Sequence, residues 1–559
     1  MAKTRAKKKT ARKKKKSTRA AKPARKPAPK KKPTGKPARK KRSTREDAKT
    51  MAARQREISV SEFFTKNRHL LGFDNPHKAL LTTVKEAVDN SLDACEEAGI
   101  LPDLMVEIHE VGENRYRVAV QDNGPGIVRG QIPKIFGKLL YGSKFHRLKQ
   151  QRGQQGIGIS AAGMYGQLTT GRPVQIVSRT SKRKPAHKFR IAIDTKKNAP
   201  VIQTDREVEW DAARGTRVEI ELEAVYKKGR RSVDDYIEQT ALANPHVAIH
   251  YAPPKDEPVI YERVTKEPPE EASEIQPHPL GVELGILLRM MKETRSRHLR
   301  GMLTSEFCRV SAAVANKICE IAGVSPESKP SRLSGGQVES IFQAIPKVRI
   351  MAPPTSCLAP IREDLLLSCL KKRVDADFVT AVTRSPTVYR GNPFQIEVGL
   401  AYGGGLGAED TVHLYRYANR VPLQYQQSAC AITKAVVSTD WKKYGLQQAR
   451  GALPVGPMIV LVHIASVWVP FTSESKEAVA SYPEIIKEIR LALQEAGRRV
   501  GVFVRKRRRQ ADEYKKRSYI EKYIPHIGDA LQEILGQTNR KRDKNVSNLK
   551  TILERSRKM

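Results

Sequence analysis

The sequence has few cysteines, no long apolar run and a shortage of acidic residues, and each of these features excludes a class of protein. Its six cysteines are scattered along 559 residues without a C-x-x-C pair, which argues against a zinc site and against a disulfide scaffold. No apolar run reaches the roughly eighteen residues of a membrane span, and no signal peptide opens the chain, so an intracellular protein is expected. The length predicts about three domains with adequate cores.

Basic residues dominate the charge, with 103 Lys and Arg against 59 Asp and Glu and a net charge of +44. Residues 1–50 contain 24 of these basic residues against Glu46 and Asp47, a net charge of +22. Because this segment has almost no apolar side chain beyond alanine, residues 1–53 are predicted to be a disordered basic arm. The arm is either a solubility tail or localisation signal, or a segment that binds the DNA backbone without reading its sequence, and we favour the second interpretation.

The stretch KEAVDNSLDA, residues 85–94, places polar side chains in a pattern that otherwise predicts a buried helix. Small and apolar residues recur at helical spacing on one face of this helix. Glu86, Asn90 and Asp93 fall on a neighbouring stripe of the same helix. Taken alone, this stripe is better explained by an ordinary solvated acidic face than by a functional site.

Two glycine-containing motifs follow the helix. An alternating strand runs into QDNGPG, where Asp122 and Gly126 form a turn that lets the backbone approach a ligand and offers an acceptor to a base edge. Gly153, Gly156 and Gly158 then precede a helix of small residues, an arrangement that directs backbone N–H groups at phosphate. Each motif alone is weak evidence, but the three in this order indicate a nucleotide site.

Two stretches imitate other nucleotide-binding motifs. GKLLYGSK, residues 137–144, has its Lys and Ser in the reverse of the P-loop order, so no P-loop is predicted. LSGGQ, residues 333–337, imitates the signature of transporter ATPases, yet the sequence contains no Walker A motif for it to serve. Ser334 is instead predicted to cap a helix.

The ordered motifs resemble those of the GHKL ATPases, which include gyrase-type enzymes, the heat-shock chaperone, the mismatch-repair ATPase and sensor histidine kinases. Within this superfamily, three stretches are similar to the B subunits of type IIB DNA topoisomerases, the topoisomerase VI family. They are FFTKNRHLLGFDNPHKALLTTVKEAVDNSLDACEEAGILPD, GQQGIGISAAGMYGQLTTGRP and WKKYGL. The resemblance covers most of residues 54–535 and does not extend to the basic ends.

The resemblance and the local patterns predict an α+β multidomain chain. It comprises a GHKL (Bergerat) ATPase α/β sandwich, a helix-two-turns-helix domain and an α/β transducer with a long C-terminal stalk helix. The predicted boundaries are 1–53 for the basic arm, 54–252 for the ATPase domain, 253–280 for a linker, 281–348 for the helix-two-turns-helix domain, 349–472 for the transducer, 473–536 for the stalk helix with its A-subunit contact, and 537–559 for a basic tail.

The resemblance also implies roles for individual residues. Glu86 corresponds to the general base, Asn90 to the Mg²⁺ ligand, Asp122 to the acceptor of the adenine amino hydrogen, and Lys442 to the lysine that reaches the γ-phosphate. The choice of Lys442 over the adjacent Lys443 depends on the alignment, and an ordinary surface lysine is the alternative for Lys442. The remaining expected nucleotide contacts are Gly126, Lys144, Thr216 and the lid residues Gly153, Gln154, Gln155, Gly156, Ile157 and Gly158.

The resemblance further implies an ATP-driven cycle. Two B subunits dimerise on binding ATP, capture a DNA duplex, and drive strand passage that relaxes or decatenates DNA. A separate A subunit performs the cleavage within a heterotetramer. No membrane contact is implied, and the expected location is the cytoplasmic nucleoid, or the nucleus in a eukaryote. The alternative is a GHKL ATPase that acts as a DNA clamp of the mismatch-repair type.

Two further expectations concern charged residues. Asp93 is expected to be structural, holding the lid or Lys144. The loop YKKGRRS, residues 226–232, resembles a family loop that contacts the captured duplex, so Lys228, Arg230 and Arg231 are predicted to bind DNA. Ordinary solvated loop charge is the alternative for these three residues.

Overall fold

The computed structural model describes residues 48–53, 55, 57–144, 147–153 and 156–555. The chain forms two units, and the first of them, which ends at Glu57, contains the helix α1 (Ala48–Ala53). The predicted basic arm therefore lies outside the described residues up to position 47. Its last six residues are helical rather than disordered. Their sequence, AKTMAA, is rich in alanine, which has the highest helix propensity.

The second unit begins at Ile58, and its first part is an eight-stranded sheet packed against helices. The helices are α2 (Val60–Lys66), α3 (Pro76–Glu97), α4 (Ile132–Gly137), α5 (Gly158–Thr170) and α6 (Val233–Ala243). The strands are β1 (Asp103–Gly112), β2 (Arg115–Gln121), β3 (Val174–Arg179), β4 (Ala186–Asp194), β5 (Ala199–Val208), β6 (Gly215–Glu223), β7 (Ala248–Ala252) and β8 (Val259–Tyr261). Their order is β5-β4-β3-β6-β2-β1-β7-β8, and the β1–β7 pair is parallel whereas the other pairs are antiparallel. The core lies between α3, α5 and the sheet.

Strand β3 pairs in antiparallel fashion with both β4 and β6. The predicted linker, 253–280, is not wholly irregular. Its apolar triplet VIY forms β8, which extends the sheet by pairing Tyr261 with Ile249. Farther along, Ile275 N donates a hydrogen bond to Leu148 O at 3.1 Å, so this segment is fixed to the rest of the unit.

Four helices with their own hydrophobic core follow, as the sequence predicts for this region. They are α7 (Leu284–Glu293), α8 (Leu299–Ser305), α9 (Ala312–Ala322) and α10 (Gly335–Ala344). The helix start predicted within LSGGQ is confirmed, because Ser334 caps α10 and forms a reciprocal capping box with Gln337.

A second sheet forms the next part of the unit, where the sequence predicts the transducer. Its elements are α11 (Glu363–Arg373), β9 (Phe378–Thr383), β10 (Thr387–Tyr389), β11 (Asn392–Tyr402), β12 (His413–Ala418), β13 (Val421–Pro422), α12 (Ala431–Ser438) and β14 (Met458–Ser466). The central strand β14 is buried along its whole length and pairs antiparallel with β11 and parallel with β12. One face of this sheet packs against α12 and the first turns of the following helix.

The chain continues into α13 (Pro483–Leu535), a helix of 53 residues, and α14 (Asn539–Arg555), which packs back against it. The long stalk helix is thus present, although it begins at Pro483 and not at the predicted 473. Most of the predicted basic tail is helical as far as Arg555. Among the described residues, none of the helices is both long enough and apolar enough to cross a membrane.

Candidate nucleotide site

A cavity of about 340 Å³ lies between α3, the turn after β2, the start of α5 and a loop that precedes α13. The predicted site residues that line it are Glu86, Asn90, Asp122, Gly126, Lys144, Gly153, Gly156, Ile157, Gly158 and Thr216. Gln154 and Gln155, which the sequence also predicts, lie outside the described residues. Segments that are far apart in the sequence therefore meet around one cavity.

Helix α3 presents Glu86 and Asn90 to the cavity, one turn apart. The helix begins after Asn75, whose side chain accepts a hydrogen bond from Lys78 N at 2.9 Å, and Pro76 occupies its first position. The opposite face of α3 is apolar and buried in the core. Because burial of this face fixes the rotation of the helix, the polar stripe must face the cavity.

The carboxylate of Glu86 lies close to two lysines. Lys85 Nζ is 3.3 Å from Glu86 Oε1, and the Glu86 side chain is 24% exposed. Burial alone would raise the pKa of Glu86, but the charges of Lys85 and Lys476 hold this pKa below its ordinary value. Glu86 is therefore ionised at neutral pH and able to accept a proton.

Asp122 is buried at the end of β2 and held by hydrogen bonds that leave it facing the cavity. Its Oδ1 accepts from Gly124 N at 2.9 Å and from Thr216 N at 3.1 Å. Its Oδ2 accepts from Ser91 Oγ at 3.2 Å. Burial raises the pKa of Asp122, and the hydrogen bonds from Gly124, Thr216 and Ser91 only partly oppose this shift. The Thr216 hydroxyl lies 3.0 Å from Ser178 Oγ, so the polar groups around Asp122 are hydrogen-bonded to one another.

The glycine-rich segment comes closest to the cavity-facing stripe of α3 at Gly158. A Cβ at Gly158, the first residue of α5, would overlap the Glu86 carboxylate. Gly126 has a φ of +70°, and a Cβ there would overlap the carbonyl of Arg179. No side chain of the described residues caps the start of α5, so its free N–H groups are available to an anion.

Lys144 lines the cavity but is already paired. Its Nζ is 2.8 Å from Asp93 Oδ2 and 3.5 Å from Glu97 Oε1. Arg152, beside the first lid glycine, also contacts Asp93 at 3.0 Å. Asp93 was expected to hold either the lid or Lys144, and it contacts both, since it also accepts a hydrogen bond from Gly153 N at 3.3 Å. Asp93 is therefore turned toward the base of the lid.

The structure does not place Lys442 at the cavity. The turn Trp441–Tyr444 is anchored by the fully buried Trp441, whose indole N–H donates to Val436 O at 2.8 Å. Lys442, the next residue, is exposed, and Lys443 pairs with Asp440 on the surface. The structure therefore does not support Lys442 as a phosphate contact, because the fold uses this motif as a turn anchored by Trp441.

Lys476 is the lysine that lines the cavity instead. It lies in the loop between β14 and α13, within the segment predicted as stalk, and adopts a left-handed φ of +52°. Its Nζ donates to Arg152 O at 2.9 Å. Burial lowers the pKa of Lys476 and outweighs the opposing charge of Glu86. The available sequence signal was a lysine among polar residues, SESKEA, which begins seven positions after the end of the wholly buried strand β14.

The next residue, Glu477, fastens this loop to α3. The Glu477 carboxylate pairs with Lys78 in the first turn of α3 and accepts from Gln426 Nε2 at 2.6 Å. Lys78 also lies over the ring of Tyr425. Ion pairing and packing together keep Lys476 directed into the cavity.

The basic loop 226–232 lies on the surface between β6 and α6, as predicted. Lys228 pairs with Asp256 at 2.6 Å while its side chain remains 60% exposed. Arg230 contacts His413 at 3.1 Å, and Arg231 is exposed with a φ of +65°. None of the three lines the nucleotide cavity.

The fold and the cavity define an ATPase of the GHKL type. Residues 76–225 match the family model described as "Histidine kinase-, DNA gyrase B-, and HSP90-like ATPase". Residues 353–516 match the model described as "Topoisomerase VI B subunit, transducer". The first match supports nucleotide binding at this site. The second identifies the second sheet and much of α13 as the transducer.

Three similar proteins are named as the B subunit of type 2 DNA topoisomerase 6. The protein of Methanococcoides burtonii is 48% identical over 87% of this chain and 79% of its own length. That of Archaeoglobus fulgidus is 48% identical over 87% of this chain and 80% of its own length. That of Natronomonas pharaonis is 36% identical over 87% of this chain and 84% of its own length. The chain belongs to the family of type 2 DNA topoisomerase 6 B subunits, and the alternative of a mismatch-repair-type clamp is not favoured.

Proposed function

We propose that this chain is the ATP-binding and ATP-hydrolysing subunit of a type IIB DNA topoisomerase. The observation that carries the proposal is the convergence of Glu86, Asn90, Asp122 and Lys476 on one cavity in a chain of this family. ATP hydrolysis requires a positioned water, a base, and charge stabilisation at the γ-phosphate. The cavity offers a side chain suited to each requirement.

The proposed division of labour follows from the geometry. Asp122 accepts the adenine amino hydrogen, and the glycine lid with the start of α5 surrounds the phosphates. Glu86, kept ionised by the charges of Lys85 and Lys476, accepts a proton from the attacking water. Lys476 provides a compact positive charge at the γ-phosphate.

Mg²⁺ is implied by the resemblance, and the residues at the cavity are suited to it. The Asn90 side chain is exposed toward the cavity and makes no hydrogen bond to another described residue. Its amide oxygen is a hard ligand, and Mg²⁺ takes only one or two protein oxygens beside phosphate and water. The described residues contain no cluster of three or more His, Cys, Asp or Glu that could hold a metal ion by themselves. Asn90 would therefore hold Mg²⁺ together with the nucleotide, and the ion would neutralise charge on the phosphates.

The proposal includes the assembly. Two copies of this chain dimerise when ATP closes their lids, and two A subunits that bind near the stalk helices cut DNA. A captured duplex then contacts Lys228, Arg230 and Arg231 on the exposed loop. Such a complex works at the nucleoid, or in the nucleus of a eukaryote.

The test is to assay the purified chain with and without an A subunit. Alone, it is expected to hydrolyse ATP without relaxing supercoiled DNA, whereas both activities are expected from the complete complex. Relaxation by a rigorously pure single chain would contradict the assignment of cleavage to another subunit. Absence of ATP hydrolysis in the complete complex would contradict the proposal as a whole.

A further inference from the structure

Lys85 lines the nucleotide cavity beside Glu86, and its ammonium group is close to two carboxylates of α3. Lys85 Nζ is 3.3 Å from Glu86 Oε1 and 3.4 Å from Asp89 Oδ2, and the Lys85 side chain is only 14% exposed. Burial alone would lower the pKa of Lys85, but the charges of Glu86 and Asp89 raise this pKa above its ordinary value. Lys85 is therefore a largely buried cation that contacts two acids.

The two oxygens of the Glu86 carboxylate have different surroundings. Oε1 accepts the hydrogen bond from Lys85. Oε2 is the atom that a Cβ at Gly158 would overlap, so this oxygen lies against the first residue of α5. The start of α5 has free N–H groups suited to phosphate. Because Lys85 engages Oε1, Oε2 is the oxygen that remains for a proton on the phosphate side.

The second partner of Lys85, Asp89, is fixed by a separate helix. Asp89 Oδ1 accepts a hydrogen bond from the hydroxyl of Tyr236 in α6 at 3.2 Å. Asp89 is 6% exposed and Tyr236 is fully buried, and both lie outside the lining of the nucleotide cavity. A continuous series of contacts therefore runs from Tyr236 through Asp89 and Lys85 to Glu86.

We propose that Lys85 is a positioning residue for ATP hydrolysis, which holds Glu86 Oε1 so that Oε2 accepts the proton of the attacking water, and that Asp89 and Tyr236 orient Lys85. This inference rests on the proposed function and specifies what orients its base. In the reaction, the water oxygen bonds to the γ-phosphorus, the bond from this phosphorus to the bridging oxygen of ADP breaks, and the proton of the water passes to Oε2. Correct orientation of the base contributes to the rate of this step.

The alternative role for a lysine in this cavity is direct contact with phosphate. Lys476 is already proposed for that role, and Lys85 would have to leave its two carboxylates to share it. The two roles predict different measurements. Loss of a phosphate contact weakens nucleotide binding, whereas loss of a positioning residue lowers kcat and changes its pH dependence.

Lys85→Met in the full-length chain tests the proposal, because methionine keeps the length of the side chain without its charge. We expect kcat for DNA-free ATP hydrolysis to fall about 10- to 100-fold. The Kd of adenylyl imidodiphosphate with Mg²⁺ should stay at the wild-type value. Lys85→Arg keeps the cation and should recover most of kcat.

The pH dependence of kcat provides a second readout. The charged groups that act on Glu86 are Lys85 and Asp89 of α3 and Lys476 of the loop before α13. Removing the Lys85 cation destabilises the ionised carboxylate and raises the pKa of Glu86. The acid side of the pH profile of kcat should therefore move to higher pH in Lys85→Met, by about one to three pH units.

Lys255→Met is the matched control, since Lys255 forms a pair of similar length with Glu110, at 3.2 Å, but is 61% exposed. This variant should keep the wild-type kcat and pH profile. Wild-type kcat in Lys85→Met, or a weaker Kd with an unshifted pH profile, would overturn the positioning role. If the wild type itself neither binds the analogue nor hydrolyses ATP, the proposed function fails.

Tyr236→Phe tests the far end of the series without removing a charge. It deletes one hydrogen bond to Asp89 and should lower kcat about 2- to 10-fold, with the Kd of the analogue unchanged. Tyr417→Phe is its control, because Tyr417 is also fully buried and its hydroxyl donates to Gln239 O of the same helix α6 at 3.2 Å. Equal kcat values in the two variants would overturn the role of Tyr236. If Lys85→Met does not fold, Lys85→Arg and this pair of variants decide the proposal.

Discussion

The nucleotide cavity and the loop 226–232 are both rich in charge, yet they use it in opposite ways. In the cavity, Glu86 interacts with the charges of two lysines, and Asp122 is buried among three hydrogen-bond donors. On the loop, Lys228 and its neighbours are exposed, and their contacts are with single surface partners. From this difference we expect that a charge in the cavity matters for ATP hydrolysis by where it lies, whereas the charges on the loop matter for DNA binding by how many there are.

Removing a side chain that acts through position should have the largest effect. Glu86→Ala is expected to lower kcat for ATP hydrolysis by about 10²- to 10⁴-fold, because it removes the proposed base. Steady-state hydrolysis without DNA measures this loss. Glu110→Ala, at an exposed pair with Lys255, is the control and should hydrolyse ATP normally. Wild-type turnover in Glu86→Ala would assign the base to another residue.

Moving the Glu86 carboxylate without removing it should also slow ATP hydrolysis, though less than Glu86→Ala does. Gly158→Ala places a methyl group where the Glu86 carboxylate lies, so the carboxylate must move. We expect kcat to fall about 10- to 100-fold. Gly335→Ala is matched, because Gly335 is likewise the first residue of its helix and has no neighbouring atom within 4 Å of the new methyl group. Equal rates in both variants would mean that Glu86 has another productive position.

Two lysines of the transducer region, one inside the cavity and one on the surface, test the comparison directly. Lys476→Ala removes a charge inside the cavity and is expected to reduce ATP hydrolysis at least about tenfold, since hydrogen bonds to charged groups contribute about 1.5–3 kcal/mol. Lys442→Ala removes an exposed charge and should leave DNA-free hydrolysis unchanged. The reverse result would restore the sequence-based assignment of Lys442.

The smallest effect on ATP turnover is expected on the loop. In a protein lacking residues 1–50, alanine at Lys228, Arg230 and Arg231 should reduce the slope of log K for DNA against log salt by roughly two to three units. We expect a reduction nearer the lower end of this range, because Lys228 is already paired with Asp256. DNA-stimulated hydrolysis should weaken while DNA-free hydrolysis stays nearly intact.

The same assay needs a control for total charge. Alanine at Lys182, Arg183 and Lys184, an exposed basic trio between β3 and β4, removes three positive charges from the same domain. This variant should keep the wild-type slope. An unchanged slope in the loop variant would mean that Lys228, Arg230 and Arg231 are ordinary solvated charges that do not contact DNA.

The sequence predicted most of the cavity, because local motifs carry their own geometry. Helical spacing places Glu86 and Asn90 on one stripe, and the strand before Asp122 ends where its glycine turn begins. These features depend on periodicity and turn chemistry within short segments. The assignment of roles to them came from family resemblance and not from spacing.

The residues that sequence reasoning missed are brought in by long-range packing. Lys476 reaches the cavity because Glu477 pairs with Lys78, some four hundred positions earlier in the chain. Arg152 is held by Glu96 and Asn244 from separate elements. Such pairings leave no local pattern in the sequence. The motif WKKY suggested Lys442 as the cavity lysine, although its tryptophan is a core anchor.

The most direct test of the central claim is an equilibrium titration of Glu86→Ala and Asp122→Asn with a nonhydrolysable ATP analogue. Glu86→Ala should bind like the wild type, because it lacks only the proposed base. Asp122→Asn keeps its size but presents an N–H group to the adenine amino group, and a lost buried acceptor costs about 1–3 kcal/mol. We therefore expect selective loss of affinity in Asp122→Asn. The opposite pattern, with Glu86→Ala unable to bind and Asp122→Asn binding normally, would contradict the account.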